Sequence, residues 1–481
     1  MHDPASINGH TLKPEEQTAL LVIGAGPAGL KAALAAVRAG VQVVLVDENP
    51  VPSEVMGDDI PLLFGNRMTG AARNRSAMLE AFVESDPLIA EAFDAGVDVR
   101  LGTIAWGVYG NGPSVGWMPG PVVGLSDGVR SWMIGCERVI VATGSRDMGL
   151  AFPGWDLPGV LGMTAALRLA TRYGALDAKR AVVLGSTSAA LDGARQLRAL
   201  GVEIVAVIET AEAALAPADD FTALTGGVVC RAEGGMDGVT ALVVSADGVE
   251  QRVECDAVLL AISAVPVIEL LDAAGCRIEF SGSRGGHVPV LDADGRTSQA
   301  AISAVGDCAG IACAHDVAAY RMDWVRATVL ASEDTFVCRC EEVTAREILE
   351  IRPPRYLNWP DERRNRRDLR ALLGEGAPNP DQVKRLTRAG MGVCQGRRCR
   401  EQVACLLALS AGCELSEVPL ATHRAPVRPL PLSVAAGQED PALAAHWDTW
   451  FGMKAQYVPF WRVQPHYTAA TRNDGGEVSS E

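Results

Sequence analysis

No apolar run in the 481 residues approaches the roughly 18 needed for a membrane-spanning helix. The opening stretch, MHDPASINGHTLKPEEQ, has no apolar core of the kind a secretory signal carries. Together these absences lead us to expect a cytoplasmic protein. Basic residues are in deficit, 43 Lys and Arg against 59 Asp and Glu for a net charge of −16, so the basic footprint of a nucleic-acid binder is missing. Twelve cysteines include no Cys-x-x-Cys pair, which excludes a redox disulfide of the thioredoxin-reductase type. No nucleophile elbow and no His/Asp base cluster is visible, and the seven scattered histidines read as structural, His315 being the strongest exception. Aromatic residues make up only 5% of the chain, yet seven of them (Trp447, Trp450, Phe451, Tyr457, Phe460, Trp461 and Tyr467) crowd into one short tail segment.

What is present is glycine, 50 residues of it, and a chain long enough for two to four domains. Residues 18–47 read as an apolar strand, a Gly-rich turn, an Ala/Leu-rich helix and a second apolar strand, which is a βαβ unit. Its turn, Gly24-Ala25-Gly26-Pro27-Ala28-Gly29, matches G-x-G-x-x-G in the strand-to-helix context that motif needs. The first glycine permits the tight turn, the second lets backbone meet a pyrophosphate, and the third lets helix and strand pack closely. The helix N-terminus then offers N–H groups to phosphates. Asp47 ends the second strand, where an acid accepts hydrogen bonds from ribose hydroxyls. This unit binds a dinucleotide, with FAD and NAD both open from its residues alone.

A second βαβ pattern starts near Lys179, but its turn reads Gly185-Ser186-Thr187-Ser188-Ala189-Ala190. Only the first glycine survives, and Thr187 puts a β-branched side chain where backbone should approach pyrophosphate. Glu209 ends the following strand at the place of a ribose-binding acid. The favoured reading is a retained fold that uses no nicotinamide, the alternative an NAD(P) site.

Four cysteines form two close pairs, Cys338-x-Cys340 and Cys394-x-x-x-x-Cys399, with glycines 390, 392 and 396 around the second. Four convergent thiolates suit zinc or an iron–sulfur cluster. A flavin in the upstream dinucleotide site would favour the cluster, since a one-electron carrier has a use beside it. The remaining eight cysteines read as buried thiols, and Cys308, beside Asp307, as a small buried hydrophobe, with a place near the bound dinucleotide as the alternative.

Two further segments, RVIVATGSR with Thr143 and Gly144, and AISAVGDCAG with Gly306 and Asp307, resemble the ATG strand and GD segment of two-dinucleotide-domain flavoprotein reductases. That resemblance implies FAD in the first site, with Asp307 at its ribityl chain or pyrophosphate. FVCRCEEVT and TRAGMGVCQGRRC resemble the 2Fe-2S module related to bacterioferritin-associated ferredoxin. This module follows the flavin domain in the α-type subunits of opine dehydrogenases, hydrogen cyanide synthase and D-hydroxyproline dehydrogenase. The α chain of heterotetrameric sarcosine oxidase is a more distant cousin. Residues 18–413 carry the likeness. It implies a 2Fe-2S cluster on Cys338, Cys340, Cys394 and Cys399, and a D-amino-acid-oxidase-like flavoprotein β subunit that oxidises a C–N bond. It also implies an electron acceptor, which is a route to peripheral membrane contact, a small γ subunit, and an FMN shared at the subunit boundary. Departures from the family are the long gap between cysteine pairs, the eroded second motif, and the absence of Gly-Gly-Gln after Asp47, where the chain runs ENPVPSEVMGDDIPLLFGNR.

The expected fold is α/β: two interleaved Rossmann-like dinucleotide-binding domains and a small helical 2Fe-2S domain. The divisions are a flexible arm over 1–16, an FAD domain over 17–148 and 266–332, a second nucleotide-binding-like domain over 149–265, the 2Fe-2S domain over 333–413, and an aromatic-rich arm over 414–481 that reads as a partner interface. Charge divides along the same lines. Residues 338–428 hold 17 basic and 12 acidic residues, net +5, leaving 26 basic and 47 acidic elsewhere, net −21. The densest run, DERRNRRDLR, reads as a solvated helix or loop with internal acid–base pairs, the alternative being a docking patch for an acidic partner or electron acceptor.

Overall fold

The computed structural model describes residues 14–50, 75–110, 120–246, 248–358 and 367–435. The loop lacking Gly-Gly-Gln, most of the arginine-rich run, and the aromatic tail lie outside the described residues. Lys13–Leu430 forms one compact unit. Beyond Leu430 the described residues form the short helix Leu432–Ala435.

The 18–47 pattern folds as read. β1 (Glu16–Ile23) runs parallel to β2 (Val43–Asp47), and the helix Pro27–Arg38 connects them. β2 up to Val46 and the second half of β1, Ala19–Ile23, are continuously apolar because both faces are covered there, as parallel sheets require. The sheet is completed by β3 (Asp98–Leu101), β4 (Ile104–Tyr109), β5 (Val122–Ser126) and β6 (Ser131–Val141), in the order β3-β2-β1-β6-β5-β4. The eleven-residue β6 serves two partners on one edge. Its first half pairs antiparallel with β5, and its last residues pair parallel with Ile302–Ala304. That pairing returns the GD segment to the first domain, beside the ATG turn that follows β6.

The second nucleotide-binding-like domain is a five-stranded parallel sheet of Ala223–Leu224, Glu203–Ile208, Arg180–Leu184, Ala257–Leu260 and Val160–Gly162. A three-stranded antiparallel meander, Val228–Glu254, packs with it through Leu242 and Val244. From Phe336 the chain changes to a two-stranded ribbon and short helices, of which Arg400–Ala411 is the longest. That helix joins the same hydrophobic core as the second sheet, through Cys405, Leu406 and Ala408. No helix among the described residues is long and apolar enough to cross a membrane.

Candidate functional site: a nucleotide cavity beside four thiols

The first glycine turn borders a cavity of about 410 Å³. Gly24, Gly26, Pro27 and Ala28 line it from the turn, and Asp47 from the end of β2. Thr143 and Gly144 line it from the turn after β6, and Gly306 and Asp307 from the GD segment. Ala25 and Gly29 stand behind the surface. The buried Ala25 donates its N–H to Asp47 Oδ2 at 2.5 Å, and a Cβ on Gly29 would meet the Gly24 carbonyl oxygen at 1.9 Å. Asp47 also accepts from the Asn49 backbone at 2.7 Å, so the acid is held in place by its own turn. Asp307 accepts from the Ser145 hydroxyl at 2.7 Å, and Thr143 is tied to the Val267 carbonyl at 2.7 Å.

Gly26 tests the fit of a pyrophosphate. A Cβ built on it meets nothing within 4 Å, and its φ of −77° suits any residue. No side chain caps the helix it opens. Neither packing nor backbone geometry therefore requires glycine there, whereas close approach of a phosphate does. The cavity fits a flavin dinucleotide.

The second βαβ unit has the same skeleton and the opposite interior. Gly185 takes φ +107°, as Gly24 takes +115°, and each lies against the backbone of the neighbouring strand. The helix Ser188–Ala199, however, is capped by its own chain, with Thr187 Oγ1 accepting from the Ala190 N–H at 3.1 Å. Glu209 is fully buried. It accepts from the Ser186 hydroxyl and from the Tyr320 hydroxyl, both at 2.6 Å. The acid expected at a ribose is thus saturated by the protein itself. Burial and the Glu209 charge together push the Tyr320 phenol well above its ordinary value, so it stays a donor.

The two cysteine pairs converge. Their thiols form a chain of contacts, Cys399 to Cys338 to Cys340 to Cys394, with Cys340 and Cys394 sulfurs 3.3 Å apart. Cys338, Cys394 and Cys399 are buried. The Gly390 N–H points at Cys338 Sγ at 3.4 Å, and a Cβ on Gly392 would collide with Cys340 Sγ at 2.9 Å. The contact with Cys340, then burial, pushes the Cys394 thiol well up. Four touching thiols resist ionising together in a dry site unless a cation joins them, which is the chemistry of a metal-thiolate centre. Among the described residues no group of three or more His, Cys, Asp or Glu side chains encloses a single ion. All twelve cysteines are free of disulfides.

Several residues that sequence reasoning passed over also belong here. Asn49, Phe82, Arg168 and Tyr173 line the cavity, as do Arg397 from between two of the cysteines and Arg428. The segment 149–157 is the ledge on which the thiol module sits. The Ala151 N–H donates to Gln402 at 2.8 Å, Trp155 donates to the Phe336 carbonyl at 2.9 Å, and Arg339 lies 5.3 Å from the Trp155 ring centre. Cys308 is fully buried, its thiol directed at the Val141 carbonyl, as a packed interior thiol should be. His315 stands edge-on to Tyr320 at 5.2 Å, on the sealed second βαβ unit.

Comparison with known proteins follows this anatomy. Residues 18–328 match the family model described as pyridine nucleotide-disulphide oxidoreductase, and residues 362–438 match the sarcosine oxidase A3 domain. The opine oxidase A-type subunit of Rhizobium meliloti is 27% identical, over 87% of this chain and 87% of its own. The HcnB subunit of hydrogen cyanide synthase from Pseudomonas aeruginosa is 25% identical, over 86% of this chain and 97% of its own. Among solved structures, L-proline dehydrogenase from P. horikoshii superposes with a TM-score of 0.58 at 21% identity, over 87% of this chain and 80% of that one, a likeness of fold. With a cavity built for a flavin dinucleotide and a family match spanning well over half its length, this chain belongs to the pyridine nucleotide-disulphide oxidoreductase family, as a flavin-dependent oxidoreductase related to the A-type subunits of opine oxidase.

Proposed function

We propose that the chain is the electron-transfer flavin/iron–sulfur subunit of a hetero-oligomeric amino- or imino-acid dehydrogenase. One contrast carries the reading: the first nucleotide cavity is open beside four convergent thiols, while the second is closed by Ser186, Glu209 and Tyr320. A chain fed by a nicotinamide keeps that second cradle. This one keeps the flavin cavity and the thiols, so its electrons come from a partner. The names of its relatives, subunits of opine oxidase and of hydrogen cyanide synthase, point to a multi-subunit enzyme working at carbon–nitrogen bonds.

In this reading the first cavity would hold FAD, which would supply two-electron chemistry, and the four thiols a 2Fe-2S centre, which would supply one-electron transfer toward an acceptor. The chain's own residues provide the setting. Gly26 and the uncapped helix behind it receive the pyrophosphate, Asp47 the ribose, and Asp307, held by Ser145, the middle of the dinucleotide. Cys338, Cys340, Cys394 and Cys399 hold the metal centre, and the Gly390 N–H donates to the Cys338 sulfur. The substrate-oxidising site belongs to the flavoprotein partner.

Native purification with visible spectra, cofactor extraction and partner identification tests this. The expected result is FAD, iron with acid-labile sulfide, and a co-purifying flavoprotein. Zinc without iron, or rapid bleaching of the flavin by NADH in the single chain, overturns it.

A further inference from the structure

Two buried ionic side chains line the flavin cavity on the side of the thiol module: Glu269, 3% exposed, and Arg397, 3% exposed. Glu269 is committed to the protein. Its carboxylate meets Arg400 at 3.2 Å and Arg146 at 3.8 Å, and these two guanidinium groups, outweighing burial, hold it below the ordinary carboxylate range. Arg146 and Arg400 are both also paired with Glu401, at 2.8 and 2.9 Å. Arg397 has a different origin. It lies in the loop Cys394–Cys399, three residues after one thiol and two before another.

The loop that carries it is fixed on both sides. A Cβ on Gly149 would meet the Arg398 carbonyl at 2.4 Å, so the loop backbone lies directly on the ledge. Gln402 donates to that carbonyl at 3.0 Å while accepting from the Ala151 N–H at 2.8 Å. The next residues, Arg400 and Glu401, enter the ionic lattice that reaches Glu269 in the cavity wall. Thiol ligation and the shape of the flavin cavity are therefore set by one short stretch of backbone. A guanidinium is weakly hydrated, always charged and shaped to grip phosphate or a delocalised anion, so it suits a dry wall facing a dianionic nucleotide.

We propose that Arg397 is a flavin-site residue delivered by the thiol loop: its guanidinium holds the negative charge of the bound flavin nucleotide, and formation of the metal centre fixes it there. This rests on the reading of the cavity as an FAD site and of the thiols as a metal centre. It has a reciprocal consequence, because coupling between two ligands runs equally in both directions. Chelating the metal weakens FAD, and stripping FAD exposes the metal centre to chelator.

The test uses the natively assembled protein carrying Arg397→Met or Arg397→Lys. Three readouts are followed: FAD dissociation after gel filtration, the flavin midpoint potential, and the visible circular dichroism of the metal centre. Arg397→Met should weaken FAD retention about tenfold or more, the scale of a lost charge-assisted hydrogen bond. It should also lower the midpoint potential, and Arg397→Lys should recover part of both. The dichroism should persist in both variants, which shows that the loop has folded. Wild-type retention and potential in Arg397→Met overturn the proposal. So does loss of the dichroism in Arg397→Lys with flavin unchanged, which makes Arg397 a support of the thiols alone. Wild-type protein that holds no flavin overturns the parent reading instead.

Discussion

The two βαβ units are built on the same frame and finished in opposite ways. Both open with a glycine in the left-handed region against the next strand, and both end their second strand on an acid. In the first unit Asp47 borders a cavity and the helix start is uncapped. In the second, Glu209 has no exposed surface and Thr187 caps the helix. A fold of this kind persists without its ligand because strand pairing and helix packing hold it up. The ligand site is the part that can be filled in. Thr187 in the place of Gly26, and Ser186 in the place of Ala25, supply hydroxyls that satisfy the donors and acceptors a nucleotide would otherwise meet.

Glycine substitutions in the first turn should break the comparison hardest. Gly29→Val drives a side chain into the Gly24 carbonyl. It should destabilise the unit by more than about 3 kcal/mol, read from denaturant midpoints. Gly26→Ala points into open space and should change stability by no more than about 0.5 kcal/mol, yet release FAD. Tight FAD in Gly26→Ala would deny that this turn is a pyrophosphate cradle. Tyr320→Phe acts on the sealed unit by removing a buried hydrogen bond to a carboxylate. A loss of about 1.5–3 kcal/mol with an unaltered flavin spectrum is expected, and a neutral result would mean the seal is ornamental. Thr187→Ala should be mildest, about 1 kcal/mol for a helix cap, with flavin content unchanged. If flavin content fell, the two units would not be as separate as their interiors suggest.

The first unit is legible in the sequence because its demands are local. Six consecutive residues impose a turn, and Asp47 lies one strand away. The four thiols are legible for a related reason: few roles other than metal ligation place a C-x-C pair and a C-x₄-C pair near so many glycines. The seal on the second unit is only half legible. The loss of glycines shows that a nucleotide is not well cradled. What fills the space is Tyr320, 111 residues from Glu209 in sequence, and no local pattern announces that contact. Arg397 is hidden differently. Between Gly396 and Arg398 it reads as one more basic residue in a basic module, and only the clamped path of the loop sends it into the cavity wall. The segment 149–160 looks like a crossover linker because Pro153 and Pro158 interrupt it. Its backbone and Trp155 are instead satisfied by the thiol module.

The path of the chain after the thiol module limits how such proteins can be assembled from parts. Beyond the helix Arg400–Ala411, His423 reaches Asp272 at 2.9 Å, Val427 donates to the Trp106 carbonyl on β4 at 2.8 Å, and Arg428 pairs with Glu48 just past Asp47. Val427 and Arg428 both line the flavin cavity. The module is therefore stitched at both ends, entering along the ledge and leaving across the flavin domain. It cannot be lifted out or grafted elsewhere as an independent cassette without opening the nucleotide site. A lineage carrying this stitch is bound to inherit flavin cavity and thiol module as a single heritable block.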